Sequence, residues 1–109
     1  MNEAVKYDDG KLRYDLVPPD ALEELVHVYS SGAYKYGDRN WEEGMDYGRV
    51  FGAMMRHAWA WWGGGNRDKE SGLHHLAHVA WGCFTLIAYS KRGVGTDDRR
   101  DVSNEKAEF

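Results

Sequence analysis

The chain has 109 residues and a mass of 12.5 kDa, which is enough for one domain but limits the share of its surface that a single copy buries. Hydrophobic residues make up 42% and aromatic residues 14% of the sequence, so intrinsic disorder is excluded. The 14 Lys and Arg are outnumbered by 18 Asp and Glu, so the chain lacks the basic field that holds a nucleic acid polymer. A small anionic ligand remains compatible with this charge.

Cysteine content and hydropathy bear on the compartment. Cys83 is the single cysteine, so the chain forms no internal disulfide, and a reducing cytoplasm is the expected location. The longest apolar stretch covers residues 79–89, which is shorter than the roughly 20 residues of a membrane-spanning helix. No membrane partner is expected.

The N-terminal third is predicted to be an arm followed by a helix. Residues 1–19 are charged, rich in Tyr and without helical period, and are interpreted as an ordered arm. Asp20 and Glu23 form a variant of the capping box, and apolar residues then recur at helical spacing. The first helix is therefore predicted to run from Ala21 to about Tyr36.

Two further helices follow a loop at residues 37–46. The second is predicted at Tyr47–Trp62, with Asp46 as N-cap and a run of glycines from Gly63 as its end. The third is predicted to begin at residue 71 or 72 and to end at Arg92.

This pattern predicts an all-α fold, a small bundle of about three main helices completed by oligomerisation as a homodimer or homotetramer. The domain is predicted to cover residues 1–93, including the arm at 1–19. Residues 94–109 are charged and poor in apolar side chains, and are predicted to form a flexible tail.

The densest polar cluster surrounds the start of the third helix and suggests a metal site. His75 and His78 are spaced to project from one helix face, and Asp68 and Glu70 precede them, so these four are the candidate ligands of a divalent ion. The simpler reading is that the acids favour the helix N-terminus and that the histidines are half-buried core residues. The cluster as a whole favours a site, with His74 as a bystander.

The second helix and the preceding loop add candidate substrate groups. His57 and Arg56 are candidate catalytic residues beside the metal cluster. A core histidine would explain His57 equally well, and an ion pair with one of the acids is the simpler explanation of Arg56, although a guanidinium beside a metal site also suits a phosphate. Loop cations and aromatic residues suit phosphates and a base, or else close the end of the bundle. The candidate substrate-binding residues, with two cations from the arm, are Lys11, Arg13, Lys35, Tyr36, Arg39, Asn40 and Trp41. Glu23, Glu24 and His27 are more simply explained as residues of a helix start.

Four motifs in order, at residues 11–19, 32–41, 56–57 and 68–78, resemble the phage dATP/dGTP diphosphohydrolase domain family. A looser resemblance links the chain to the all-α MazG-like pyrophosphohydrolases. The resemblance implies hydrolysis of a purine deoxynucleoside triphosphate to the monophosphate and pyrophosphate, for phage control of the nucleotide pool in the host cytoplasm. Mg²⁺ or Mn²⁺ is the expected cofactor, and imidazole ligands would shift the preference toward Mn²⁺, Co²⁺, Ni²⁺ or Zn²⁺.

In the resulting hypothesis Glu70 is the general base and the cations neutralise the triphosphate. A phosphohydrolase of the HD type is disfavoured because the chain has no adjacent His-Asp pair. The main alternative is a non-catalytic helical adaptor that binds a nucleotide or a protein and carries a structural metal site. A purely structural zinc site is weakened by the absence of cysteine ligands near the histidines.

Overall fold

The computed structural model describes residues 3–100 and confirms the predicted all-α class. The three α-helices are α1 (Pro19–Tyr36), α2 (Tyr47–Trp62) and α3 (His75–Arg92). Single turns of 3₁₀ helix lie at Tyr14–Leu16 and Asn40–Glu43. The described residues contain no strand, only isolated bridges that join residues 46 and 96 and residues 67 and 74. Within residues 3–100, no helix combines the length and apolar character that a bilayer crossing requires.

The helix bounds follow local signals, with one exception. α2 begins and ends where the sequence predicts, and α1 begins at Pro19 rather than Ala21, because proline suits the first turn of a helix. α3 begins at His75, later than predicted. Residues 66–75 instead form a closed loop, in which the His75 N–H donates to the Asn66 carbonyl at 2.8 Å.

α3 is the central helix, with α2 packed antiparallel on one side and α1 on another. Tyr47 at the start of α2 stacks on Tyr89 near the end of α3, with ring centroids 6.2 Å apart. Nearer the middle, a Cβ built at Gly82 would overlap the Cγ and Sδ atoms of Met54. Glycine at this position therefore permits the close approach of α2 and α3.

The first residues of the predicted tail lie along the N-terminus of α2. The Thr96 carbonyl accepts the Tyr47 N–H at 2.9 Å, and the Asp98 carboxylate accepts the Gly48 N–H at 2.7 Å. The segment up to Asp98 is thus bonded to the helical part of the protein. Residues 101–109 of the predicted tail lie outside the described residues, and the domain boundary at residue 93 stays a prediction.

Candidate functional site

A cleft of about 870 Å³ lies between α1, the 3₁₀ turn at Asn40–Glu43 and the paired helices α2 and α3. One wall comes from the second half of α1 and the loop that follows it. The opposite wall comes from α2, the closed loop at residues 66–75 and the first turns of α3. The cleft brings imidazoles, carboxylates, cations and aromatic rings into one volume.

His57 and His75 meet at the floor of this cleft. Their Nδ1 atoms are 2.9 Å apart, although the two residues lie on different helices. His75 is buried, and His57 is half-buried. Two imidazole nitrogens at this distance repel each other as lone pairs unless a proton or a cation lies between them.

Asp68 completes a compact group of donors. One ligand atom from each of His57, Asp68 and His75 lies within 4.8 Å of the other two. The carboxylate is held by the Ser71 N–H, which donates to Oδ2 at 2.8 Å. This hydrogen bond lowers the pKa of Asp68 below its ordinary value, so the carboxylate is ionised at neutral pH.

His78 lies against the same group, with a different set of contacts. Its ring stacks on that of His57, with centroids 4.1 Å apart and an angle of 7° between the planes. Its Nε2 lies 2.8 Å from the hydroxyl of Ser71. Burial lowers the pKa of both His57 and His78, which favours neutral imidazoles at pH 7.

The donor set formed by His57, Asp68 and His75 fits a divalent ion of borderline character. Neutral imidazoles and an ionised carboxylate are the ligands used at zinc and related transition-metal sites. In a tetrahedral zinc site with Zn–N bonds of about 2.0–2.1 Å, the ligand nitrogens are about 3.3–3.4 Å apart. The observed separation of 2.9 Å between the two Nδ1 atoms is about 0.4 Å shorter than that spacing, so a tetrahedral ion would require the two rings to move slightly apart.

Glu70, predicted both as a ligand and as the base, lies at the mouth of the cleft outside this donor group. Its carboxylate is 3.5 Å from the Lys35 ammonium, and both side chains are exposed. Arg39 and Arg56 also line the cleft. Arg39 adopts a left-handed backbone conformation, with φ of 57°, which is uncommon for a residue that carries a side chain.

The predicted base-binding residues all line the cleft, but they differ in exposure and packing. Tyr36 is exposed, and its ring is 5.2 Å from the Lys35 ammonium. Trp41 packs edge-on against Tyr29, with ring centroids 5.9 Å apart, and the Arg92 guanidinium lies 5.4 Å from its ring centroid. Asn40 begins the 3₁₀ turn and lies in the lining beside them.

Tyr29, Ser71 and Trp81 are among the cleft residues that the sequence did not indicate as site residues. Trp81 is one helical turn beyond His78, so the spacing that linked His75 and His78 could have placed it on the same face. Ser71 follows Asp68 by three residues, a spacing typical of a turn closed by a carboxylate. No local signal indicates Tyr29, because its place depends on how α1 packs.

Other candidates lie outside the cleft lining. Arg13 of the arm pairs with Asp15 at 2.7 Å, and Lys11 is exposed elsewhere on the arm. Glu24 approaches Arg67 at 3.5 Å, and Glu23 approaches His27 at 3.7 Å. His74 accepts the Leu76 N–H at 3.1 Å through Nδ1 and so caps α3.

Fold and site together define a small all-α protein with an imidazole–carboxylate group at the floor of a cleft lined by cations and aromatic rings. Residues 1–99 match the family described as dATP/dGTP diphosphohydrolase, N-terminal, and the chain belongs to this family. The looser relation to MazG-like enzymes stays a prediction.

A curated relative supports the same assignment. The chain is 35% identical over 96 residues to a protein of Salmonella phage PMBT28 named dATP/dGTP diphosphohydrolase. The match covers 88% of this chain and 33% of the relative, so the chain spans about a third of that protein's length. No solved structure matches the chain.

Proposed function

We propose that this domain takes part in the metal-dependent hydrolysis of a purine deoxynucleoside triphosphate, dATP or dGTP, to the monophosphate and pyrophosphate. The observation that carries the proposal is the group of His57, Asp68 and His75, whose ligand atoms lie within 4.8 Å of one another in a substrate-sized cleft. The family and the name of the phage relative support the same activity.

His57, Asp68 and His75 are the residues that would hold the divalent ion. When bound, the ion would supply Lewis-acid polarisation of a phosphoryl oxygen and a lowered pKa for a bound water. The two imidazoles favour Mn²⁺, Co²⁺, Ni²⁺ or Zn²⁺, and Mg²⁺ would require more oxygen ligands. The His78 ring stacks on the His57 ring and restricts its orientation. His78 also contacts the hydroxyl of Ser71. The backbone N–H of the same serine donates to Asp68 and orients its carboxylate.

Glu70 is the proposed general base. A carboxylate can accept a proton from the attacking water only if it is not fully committed to a metal. Glu70 meets this condition, because its contact is an exposed ion pair with Lys35 rather than a place in the donor group. Such an exposed pair is worth little, so an incoming phosphate can take over the lysine.

The substrate would lie along the cleft with its phosphates toward the cations. Lys35, Arg39 and Arg56 lie on elements that surround the cleft, where they can neutralise a triphosphate and the departing pyrophosphate. The exposed ring of Tyr36 and the amide of Asn40 are the proposed contacts to the base. Stacking of this kind contributes about 1–3 kcal/mol per base.

The decisive experiment combines product analysis with a matched histidine pair. Purified protein is incubated with each dNTP and with Mg²⁺, Mn²⁺, Co²⁺, Ni²⁺ or Zn²⁺, and products are separated by chromatography. His75→Ala should abolish both metal binding and pyrophosphate release, whereas His74→Ala should leave metal binding unchanged. Far-UV circular dichroism checks that both variants remain helical.

A second pair of variants tests the role of Glu70 as the general base. Glu70→Gln should lower kcat by about 10²–10⁴ with metal affinity unchanged, whereas Glu23→Gln, which changes an acid outside the cleft, should retain activity. Tight binding of intact nucleotide with every metal would instead establish the adaptor alternative. Release of orthophosphate or triphosphate would contradict the proposed bond cleavage.

A further inference from the structure

The side of the α2–α3 pair that faces away from the cleft is strongly apolar. At 3.6 residues per turn, His57 and His78 project to one side of the line that joins the two helices. Five large apolar side chains project to the other side, and they define the α2–α3 face: Phe51, Trp59, Trp62, Leu76 and Ile87.

The α2–α3 face is well exposed in the single chain. Trp62 is 73%, Trp59 65% and Ile87 56% accessible to solvent, although all three belong to regular helices. By contrast, the fully buried apolar core of residues 3–100 is limited to Leu25, Val28, Val50, Ala77 and Tyr89. More large apolar surface therefore lies on this face than in the core, which is unusual for a monomer.

We propose that the α2–α3 face is the interface with a second copy of this chain. A twofold axis through the face would pack α2 and α3 against α2 and α3 of the partner, as a four-helix bundle with the clefts on its outer sides. The five positions carry no charged side chain, which matches the depletion of charge at interface cores. Because the face is apolar on both helices, it complements itself without a partner of opposite charge.

The exposed area is sufficient for a stable dimer. Aromatic side chains bury about 150–250 Å² each and large aliphatic side chains somewhat less, so the five side chains at the observed exposures present roughly 600 Å². Stable interfaces bury about 600–1,000 Å² on each partner. Twofold packing of this face alone thus reaches the range of specific complexes, without any contribution from the N-terminal arm.

Sedimentation equilibrium of the intact chain tests the proposal without nucleotide or metal, so its outcome is independent of the proposed hydrolysis. The wild type should sediment at twice the chain mass of 12.5 kDa. Ile87→Glu on α3 and Trp59→Glu on α2 should each weaken the dimer at least about a hundredfold, because each buries an unpaired charge. The matched control is Tyr34→Glu, which changes a residue of α1 that is 96% exposed and should leave the mass unchanged.

Circular dichroism should show that both variants remain helical, since each changed side chain is already exposed in the single chain. The proposal fails if the wild type sediments at the mass of one chain at concentrations of about 100 µM, which a dimer of ordinary affinity would not do. It also fails if both folded variants keep the wild-type mass, or if Tyr34→Glu dissociates the assembly as strongly as they do.

Discussion

Replacement of Gly82 by alanine tests the packing on which the site depends. This substitution has two opposing effects on the free energy of unfolding. Alanine in a helix interior is more favourable than glycine by about 1 kcal/mol. The added methyl group, however, would lie 2.5 Å from the Sδ atom of Met54 and would overlap its Cγ atom, and overpacking of this kind costs about 1–3 kcal/mol.

The steric term should prevail, because the overlap involves an atom close to the Met54 backbone rather than the flexible end of the side chain. Relief requires either a new rotamer of Met54 or a wider separation of α2 and α3. We expect Gly82→Ala to lower the free energy of unfolding by up to about 2 kcal/mol, the difference between the two terms. A wider separation would also move His57 away from His75 and weaken metal binding.

Gly32 supplies the matched control. It also lies within a helix, and a Cβ at this position would meet nothing within 4 Å. Gly32→Ala should therefore raise the free energy of unfolding by about 0.5–1 kcal/mol. Urea denaturation followed by circular dichroism, at one fixed protein concentration, compares the two variants with the wild type.

The combination of Gly82→Ala with Met54→Ala isolates the contact. If the overlap is the cause, the double variant should be more stable than the sum of the two single effects implies, with a coupling of about 1 kcal/mol or more. If Gly82→Ala instead stabilises the protein as much as Gly32→Ala does, the close approach of α2 and α3 at this position is refuted.

Three other substitutions, the first with a matched control, test local features by urea denaturation. Asp98→Ala should cost about 1 kcal/mol, because it removes a cap from α2; Asp46→Ala should change stability less, since its side chain makes no cap hydrogen bond. Tyr89→Phe should cost about 1–3 kcal/mol, because it removes the hydroxyl that donates to the Trp41 carbonyl. Arg39→Gly should raise stability by about 1 kcal/mol through relief of the left-handed backbone, yet raise KM for dNTP in a steady-state assay; an unchanged KM would remove Arg39 from the proposed phosphate contacts.

Local signals were sufficient to predict the helices but not every end. The bounds of α2 were correct because a polar residue precedes it and three glycines follow it. The start of α3 was placed too early because the loop at residues 66–75 is closed by backbone hydrogen bonds, which composition does not reveal. The cap from Asp98 to Gly48 joins residues separated by 50 positions, and no local pattern predicts such a bond.

In the candidate site, too, proximity along the chain could be predicted from the sequence, whereas contacts between helices could not. Asp68 and His75 lie close together at the start of α3, a proximity that their closeness in sequence indicates. The approach of His57 depends on how α2 packs against α3, where Met54 lies against Gly82. The sequence suggested that His57 lies near the cluster. It did not indicate which of His57 and His78 joins Asp68 and His75 in the donor group, because a half-buried imidazole can either point a nitrogen at a metal or stack on a neighbouring ring.

The charges of the cleft lining bear on the proposal that a divalent ion and a polyphosphate bind together. Lys35, Arg39 and Arg56 are balanced by Asp38, Asp68 and Glu70. The lowered pKa values of His57 and His78 keep these imidazoles neutral, so they add no positive charge at pH 7. A polyanion alone would therefore gain little net attraction from the lining. A divalent ion beside Asp68 would give the cleft a positive balance, so under this proposal the group that would bind the ion would also determine whether the triphosphate enters.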